Sequence, residues 1–512
     1  MNDLFSDLTM VLIKIVILVA AFGVISARLF PKVANTQMGK ASNHILMALG
    51  VFALLAYVNF QPFTPKPHYQ DSFHYYIGSK YFPELGYTRL YACTTRAGAE
   101  SNNPSERSMA YYRYVRDLSL DKDNGLVPGG RYYSDDVFCK SHFSAPRWEA
   151  FKSDIEFFHD RNGVNKYGLN MWEEIHKDHG FNASPAWTLV GGFLSNIIPL
   201  SDSALTGIAL IDIAFLFGSI ACLAWAFGLP TAALAVIVGT ASIETWGYIG
   251  GSMLRFDWLF MAILSVCALK RGHYVLAGAA LGYAAMMRLF PAVFALGPFF
   301  GLLYAIYKRQ HTLKAAYGKF FGGMVISVAI LAASAVSVYG TSAYKDFFSN
   351  TSRMSNTLSV NTVGLQNVLT TAYDSSIRHG RKGWNTAIIE ARQKVVPIYV
   401  LVVAIALLLF IPAAISCEPW QAVAFGALFT PFMWTELSHY YYLFLMVVAT
   451  LFAANWKVAL PLLGIGIAIK IGWAFRMYEM IDILSYYFIF STVVCIGAMA
   501  IWWQAKTRSF TQ

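Results

Sequence analysis

Predominantly apolar windows of about twenty residues recur along this chain, and that recurrence constrains its fold more than any other feature. Such a window is what an α-helix needs to cross the hydrocarbon core of a bilayer. Of the 512 residues, 56% are hydrophobic and only 13% charged, against roughly 25% charged in an average soluble domain. The chain therefore reads as an all-α polytopic membrane protein. Its formal charge of +10 does not call for nucleic acid as a partner, because the cationic residues gather in short loops between apolar runs. The positive-inside rule places them there anyway.

About thirteen candidate spans can be drawn by hydropathy, near 10–27, 43–60, 203–227, 230–248, 256–270, 273–289, 292–308, 320–339, 395–416, 420–435, 438–454, 458–475 and 483–504. The pair around Arg288 and Pro291 also reads as one bent re-entrant hairpin. MNDLFSDL is an acidic start with no small-residue cleavage site after it, so the first run reads as a retained helix and not a signal peptide. With this count the basic loops at Arg28–Lys40, Lys270–Arg271, Lys308–Lys319 and Lys506–Arg508 share one side, the cytoplasm. The expected organisation is N-terminal transmembrane helices over 1–60, an extracytoplasmic loop domain over 61–202 and central transmembrane helices over 203–339. A second extracytoplasmic loop over 340–394 and C-terminal transmembrane helices over 395–512 complete it.

The first loop carries its own folding signals. SAPRWEAFKSDIEFFHDRNG predicts a helix opening at Ser144, with Pro146 in its first turn and Trp148, Phe151, Ile155 and Phe158 on one face, stopped by Gly163. NKYGLNMWEEIHKDHG predicts a second, short helix with Met171, Trp172 and Ile175 on one side. Both are expected to lie along the membrane surface or to cap a cavity. Of six cysteines, Cys93 and Cys139 fall in this loop, either bridged in an oxidising compartment or independent thiols.

Polar residues in or beside apolar runs are the candidates for chemistry. Asp71, in YQDSFHYYIGSKYFPELGY, follows the second span, where a carboxylate can serve as a general base for an incoming hydroxyl or simply cap the helix that follows. Arg288, in GYAAMMRLFPAVF, either binds a phosphate with its planar fork or snorkels to the interface. Asp135, Asp136 and His142 offer oxygen and imidazole ligands for a divalent cation such as Mg or Mn; adjacent loop acids are also common without any metal. Glu244 and Asp257 lie near the outer ends of spans, with Arg255 beside both as a local salt-bridge partner. Glu436, His439 and Tyr440 cluster in WTELSHYYYLF, where an aromatic interfacial belt explains the tyrosines equally well.

In having many spans, a large first outer loop opening with an acidic residue, juxtamembrane helices and short paired spans in the middle, the chain resembles the GT-C superfamily of polytopic glycosyltransferases. MRLFP at 287–291, NTVGLQN at 361–367 and HYYYLF at 439–444 look like loose versions of patterns in its bacterial mannosyl- and arabinosyl-transferring branches. WWDYG and an acidic pair directly after Asp71 are missing. The resemblance implies a GT-C-like fold and an enzyme of EC class 2.4 in a bacterial inner membrane with its large loops in the periplasm. It further implies a polyprenyl-phosphate sugar donor, a lipid or envelope-glycan acceptor, Asp71 as the catalytic carboxylate, and Arg288 with His439 at the donor phosphate. Trp172, Trp187 and Tyr76 are candidates for stacking on sugar faces. Three other classes fit the composition, one of them a membrane transferase of acyl or phosphoethanolamine groups, which would want a histidine or threonine nucleophile site that the sequence does not show. A transporter or flippase would show internal repeats, and none is visible; a non-catalytic envelope-assembly protein would leave Asp71 without polar contacts.

Overall fold

The computed structural model describes residues 5–30, 37–119, 125–165, 168–243, 248, 250–355, 362–374, 376–377, 384–433 and 437–475. Among these residues the regular structure is helical apart from two short antiparallel ladders, Tyr114–Arg116 with Leu126–Pro128 and Thr362–Val363 with Leu437–Ser438, and an isolated bridge between Val164 and Asn170.

Among the described residues, six helices are long and apolar enough to cross a membrane: Asp7–Leu29, Asp202–Phe227, Phe290–Tyr307, His311–Tyr339, Thr386–Ile415 and Trp456–Phe475. This is a multi-pass membrane protein, but the expected count of about thirteen crossings, and the GT-C-like layout drawn from it, is corrected to six among the described residues. The candidate at 483–504 lies outside the described residues. Of the others, the candidate at 43–60 lies in a helix of 21 residues, Gln37–Tyr57, and those at 256–270 and 420–435 form helices of 14 and 10 residues, Asp257–Lys270 and Pro419–Leu428. The remaining three, Leu229–Ser242, Tyr274–Met287 and His439–Ala453, are apolar helical segments of 10–17 residues. The 14 residues of Tyr274–Met287 rise about 21 Å at 1.5 Å per residue, short of a core about 30 Å thick. Leu229–Ile237 gives way to a π-helical stretch, Val238–Ile243, and His439–Ala453 mixes 3-10 and α turns. The sidedness drawn from strict alternation of thirteen crossings loses that support.

Apolarity in the short helices serves packing within the protein. Tyr274–Met287 lies against His311–Tyr339 so closely that a Cβ on Gly278 would collide with the Phe320 carbonyl, and one on Gly323 with that of Val275. Small residues at such crossings let helix backbones touch.

The segment between Tyr57 and Asp202 folds as a domain with an aromatic core. Its predicted helix forms over Ala145–Arg161, N-capped at Ser144, and buries Trp148, Phe151, Ile155 and Phe158. The short helix forms over Met171–Ile175 and buries Trp172 and Ile175. Cys93 and Cys139 are bridged, across a sequence separation of 46. Tyr69 and Arg161 both donate to Asp202, at 2.8 and 2.6 Å, tying the domain to the first turn of the Asp202–Phe227 span.

Candidate functional site

Asp71 sits in a four-residue helical turn, Tyr69–Ser72, that runs on through a π-helical turn, Phe73–Ile77. Its position owes much to Gly251, more than a hundred residues away in sequence. The Gly251 carbonyl accepts from the His68 backbone N–H at 3.0 Å and from Ser72 Oγ at 3.2 Å, docking this turn onto the loop at 250–256. That loop has two consecutive non-glycine residues in left-handed conformation, Met253 at φ 62° and Leu254 at φ 57°, which costs about 1–2 kcal/mol each. Asp212 offsets the cost. Its buried carboxylate, set in the apolar Asp202–Phe227 helix, accepts from the backbone N–H groups of Gly251 at 2.8 Å, Arg255 at 2.7 Å and Phe256 at 3.3 Å.

The loop so held presents two side chains to Asp71. Ser252 Oγ donates to Asp71 Oδ2 at 3.0 Å, and the Arg255 guanidinium forms an ion pair with the same oxygen. His68 Nδ1 lies 3.0 Å from it. The Asp71 side chain is 27% exposed and that of Arg255 10%. Burial by itself would raise the Asp71 pKa, but Arg255, then His68 and His74, outweigh it and hold the carboxyl well below the usual carboxylate range. Asp71 is thus a stable anion and a weak base until something draws a proton toward it.

The other face of Arg255 covers the Tyr440 ring, its guanidinium carbon 4.9 Å from the centroid. Tyr440 in turn borders a cavity of about 500 Å³, whose wall includes Tyr75, Ser184, Arg288, Phe347 and Ser438. Four parts of the chain meet there: the 61–202 domain, the break at 287–290, the amphipathic segment around Phe347 and the strand-and-turn at 437–441. The Thr362–Val363 and Leu437–Ser438 ladder, with Thr362 opposite Ser438, brings the NTVGLQN stretch beside HYYYLF.

Arg288 stands in extended backbone just after the Tyr274–Met287 helix. Its guanidinium carbon lies 5.6 Å from the Tyr75 ring centroid and 5.8 Å from that of Trp187, and Nη1 donates to the Met287 carbonyl at 3.2 Å. Among the described residues Arg288 has no ion-pair partner, and its Nε is buried without a hydrogen-bond acceptor. The Tyr75 phenol is pushed up to about 12, by burial first, against the opposing charge of Arg288. Tyr75 is therefore a neutral donor at the cavity wall.

The remaining candidates are spread out. Asp71 does not line the Arg288 cavity; Tyr75, four residues on, and Tyr440 do. His439 is buried, within electrostatic reach of Lys470, and does not line that cavity either. Asp257 accepts from Trp258 N–H and from Tyr283 Oη at 3.3 Å, while Arg255 pairs with Asp71. Glu244 and Glu436 lie outside the described residues. Asp135 accepts the Phe138 N–H at 2.9 Å, Asp136 pairs with Arg96 at 2.7 Å, and His142 is exposed. Among the described residues no three His, Cys, Asp or Glu side chains group to hold a metal ion. Trp172, Trp187 and Tyr76 are 0–1% exposed and pack in the core, with Tyr76 Oη on the Ile198 carbonyl; none presents a face to a sugar. The sequence reading omitted Asp212, Ser252, Arg255 as partner of Asp71, His68 and Tyr75. Only Asp212 had a clear signal, an acid inside an apolar span.

Comparison with known proteins places the chain beside none of them: no protein family, curated protein or solved structure matches it.

Proposed function

We propose that the protein is a membrane glycosyltransferase that moves a sugar from a polyprenyl-phosphate-linked donor to a lipid or envelope-glycan acceptor on the outer face of a bacterial inner membrane. The observation that carries this reading is Arg288. A guanidinium that forms no ion pair among the described residues, its Nε lacking an acceptor, beside a 500 Å³ cavity walled in part by aromatic rings is suited to a phosphate with an apolar attachment. The Cys93–Cys139 bridge supports an oxidising compartment for the 61–202 domain.

In this reaction the bond from the anomeric carbon to the phosphate oxygen breaks as the bond to the acceptor oxygen forms. The lipid phosphate leaves with its negative charge against Arg288, and electrostatic stabilisation there contributes most. Asp71 lies behind Arg255 and Tyr440 and not on the cavity wall, so the acceptor proton passes to it only from an acceptor that approaches on the Asp71 side, or through a bridging water. With its pKa held down, Asp71 accepts that proton only as the new bond acidifies the hydroxyl, so its earlier role is to orient the nucleophile.

The test pairs binding with turnover on one purified sample. Binding of a short-chain polyprenyl phosphate to Arg288→Ala should weaken by about 10- to 150-fold, the range for losing a charge-assisted hydrogen bond, with partial recovery in Arg288→Lys. Transfer from a panel of polyprenyl-phosphate sugars should be lost in Asp71→Asn, with lipid-phosphate binding retained. Unchanged affinity in Arg288→Ala, or near-normal turnover in Asp71→Asn, would overturn the proposal.

A further inference from the structure

The wall of the Arg288 cavity carries polar groups that a phosphate alone does not need. Asn182 and Thr351 both line it, and a contact made by each one's neighbour sets its place. Phe181 and Asn182 lie just before the helix Pro185–Ile197, and Thr351 lies in the helix Ser342–Ser355. The buried Asn350 side chain donates to the Phe181 carbonyl at 3.4 Å, and the Arg353 guanidinium donates to the Leu118 carbonyl. These bonds pin the helix to the 61–202 domain, so that residues 182 and 351 line one cavity from opposite sides of a seam. On the helix, Phe347, Phe348, Thr351 and Ser352 are spaced to share one face, and all four line the cavity.

Asn182 is also joined to the Arg288 side of the cavity. Ser184 Oγ donates to the Met286 carbonyl at 2.5 Å, docking the segment 182–184 onto the chain two residues before Arg288. Tyr75 Oη donates to Asn182 Oδ1 at 3.2 Å, and the ring of that tyrosine lies 5.6 Å from the Arg288 guanidinium carbon. The amide and the guanidinium therefore stand beside the same ring. An amide offers two donors and two acceptor positions, a hydroxyl one donor and two acceptor positions. With Tyr75 taking one position on Oδ1, the Asn182 NH₂ and the Thr351 hydroxyl keep capacity for a ligand. Neutral groups that donate and accept match sugar hydroxyls, which do the same. A small-molecule site is commonly apolar, with a few placed polar groups that fix orientation, and Phe290, Phe348 and Met433 supply the apolar part here. We propose that Asn182 and Thr351 hold the sugar of the lipid-linked donor through its hydroxyl groups, selecting a single hydroxyl-bearing sugar next to the phosphate. This rests on the reading of Arg288 as the phosphate site and adds the part of that site that chooses the sugar.

Binding to the detergent-purified full chain tests it, with phosphodiesters of equal charge as probes. These are glycosyl farnesyl phosphates from a panel of hexoses and pentoses, and cyclohexyl farnesyl phosphate, which lacks the hydroxyls. At least one glycosyl ester should bind more tightly than the cyclohexyl ester. Asn182→Ala and Thr351→Val should each cut that advantage by about 2- to 12-fold, the worth of one hydrogen bond, and leave affinity for the cyclohexyl ester unchanged. Arg288→Ala should weaken binding of both kinds of ester. Equal affinity for every ester in the wild type, an advantage that survives both changes, or an equal fall for both kinds of ester in both variants would overturn the sugar assignment and leave the phosphate site standing. Binding of both kinds of ester that is insensitive to Arg288→Ala would overturn the phosphate reading, and this inference with it.

Discussion

Replacing Asp212 with alanine tests how the Asp71 cluster is held together. The carboxylate is fully buried and accepts three backbone N–H groups, from Gly251, Arg255 and Phe256. Alanine leaves these donors without their acceptor. At about 1–3 kcal/mol per unsatisfied buried group, an unrelaxed loop costs at least about 3 kcal/mol. The loop can relax by letting Met253 and Leu254 leave the left-handed region, regaining about 1–2 kcal/mol each, but only by carrying Ser252 and Arg255 away from Asp71. The variant must therefore lose stability, the Asp71 contacts, or some of both. Asparagine is the intermediate case: its oxygen can still serve Arg255 and Phe256, while its NH₂ faces the Gly251 N–H, at a cost of about 1–3 kcal/mol. Inactivation half-life of the detergent-purified full chain is the suitable measure, since large membrane proteins commonly unfold irreversibly; protease cleavage within 250–256 reports loop release. The expected order of robustness is wild type, then Asp212→Asn, then Asp212→Ala. An alanine variant with the wild-type half-life and an uncut loop would refute the claim that Asp212 holds this loop.

Two further outcomes concern the 61–202 domain. Cys93→Ser should lower stability by about 2–4 kcal/mol, as for loss of a native bridge closing a loop of this size; in intact cells a membrane-impermeant thiol reagent should label Ser105→Cys, and labelling only after permeabilisation would overturn the proposed placement of this domain outside. His176 is buried, and burial first, then the charge of Arg113, pushes its pKa well below the ordinary value. Below pH about 6.5 the unfolded chain takes a proton that the folded chain refuses, so stability should fall by up to about 1.4 kcal/mol per pH unit from this group. His176→Gln should flatten that acid-side slope by about one proton in unfolding measurements between pH 7 and 5, and an unchanged slope would contradict the assignment.

How much of this was legible in the sequence depends on whether the signal was local. The helix from Ser144 was readable because its cap, Pro146 and apolar spacing all lie within twenty residues. The pairing of Cys93 with Cys139 stood as one of two options, since spacing alone cannot choose between them. The span count failed because a hydropathy window adds up side chains and cannot see where a helix breaks or what covers it. Tyr274–Met287 is apolar because Gly278 and its neighbours pack against His311–Tyr339, a use of apolarity that a lipid-facing span shares. Arg255 illustrates the same limit for charge. Sequence proximity offered it Glu244 and Asp257, whereas the folded chain gives it Asp71, 184 residues away.

That long-range pair, and not either residue alone, gives the site its organisation. Asp71 reaches it from the turn after the second helix, and Arg255 from a strained loop anchored by an acid inside a span. Arg255 then lies over Tyr440, which also lines the Arg288 cavity. A phosphate entering the Arg288 cavity would add negative charge on the Tyr440 side of Arg255 and compete with Asp71 for that guanidinium. Any weakening of the pair lets the Asp71 pKa rise, because Arg255 is the largest influence holding it down. Donor binding would then turn a weak base into a stronger one at the moment an acceptor hydroxyl must be engaged. The ion pair that makes Asp71 unpromising as a base would, if the proposed donor binds there, couple its basicity to that binding.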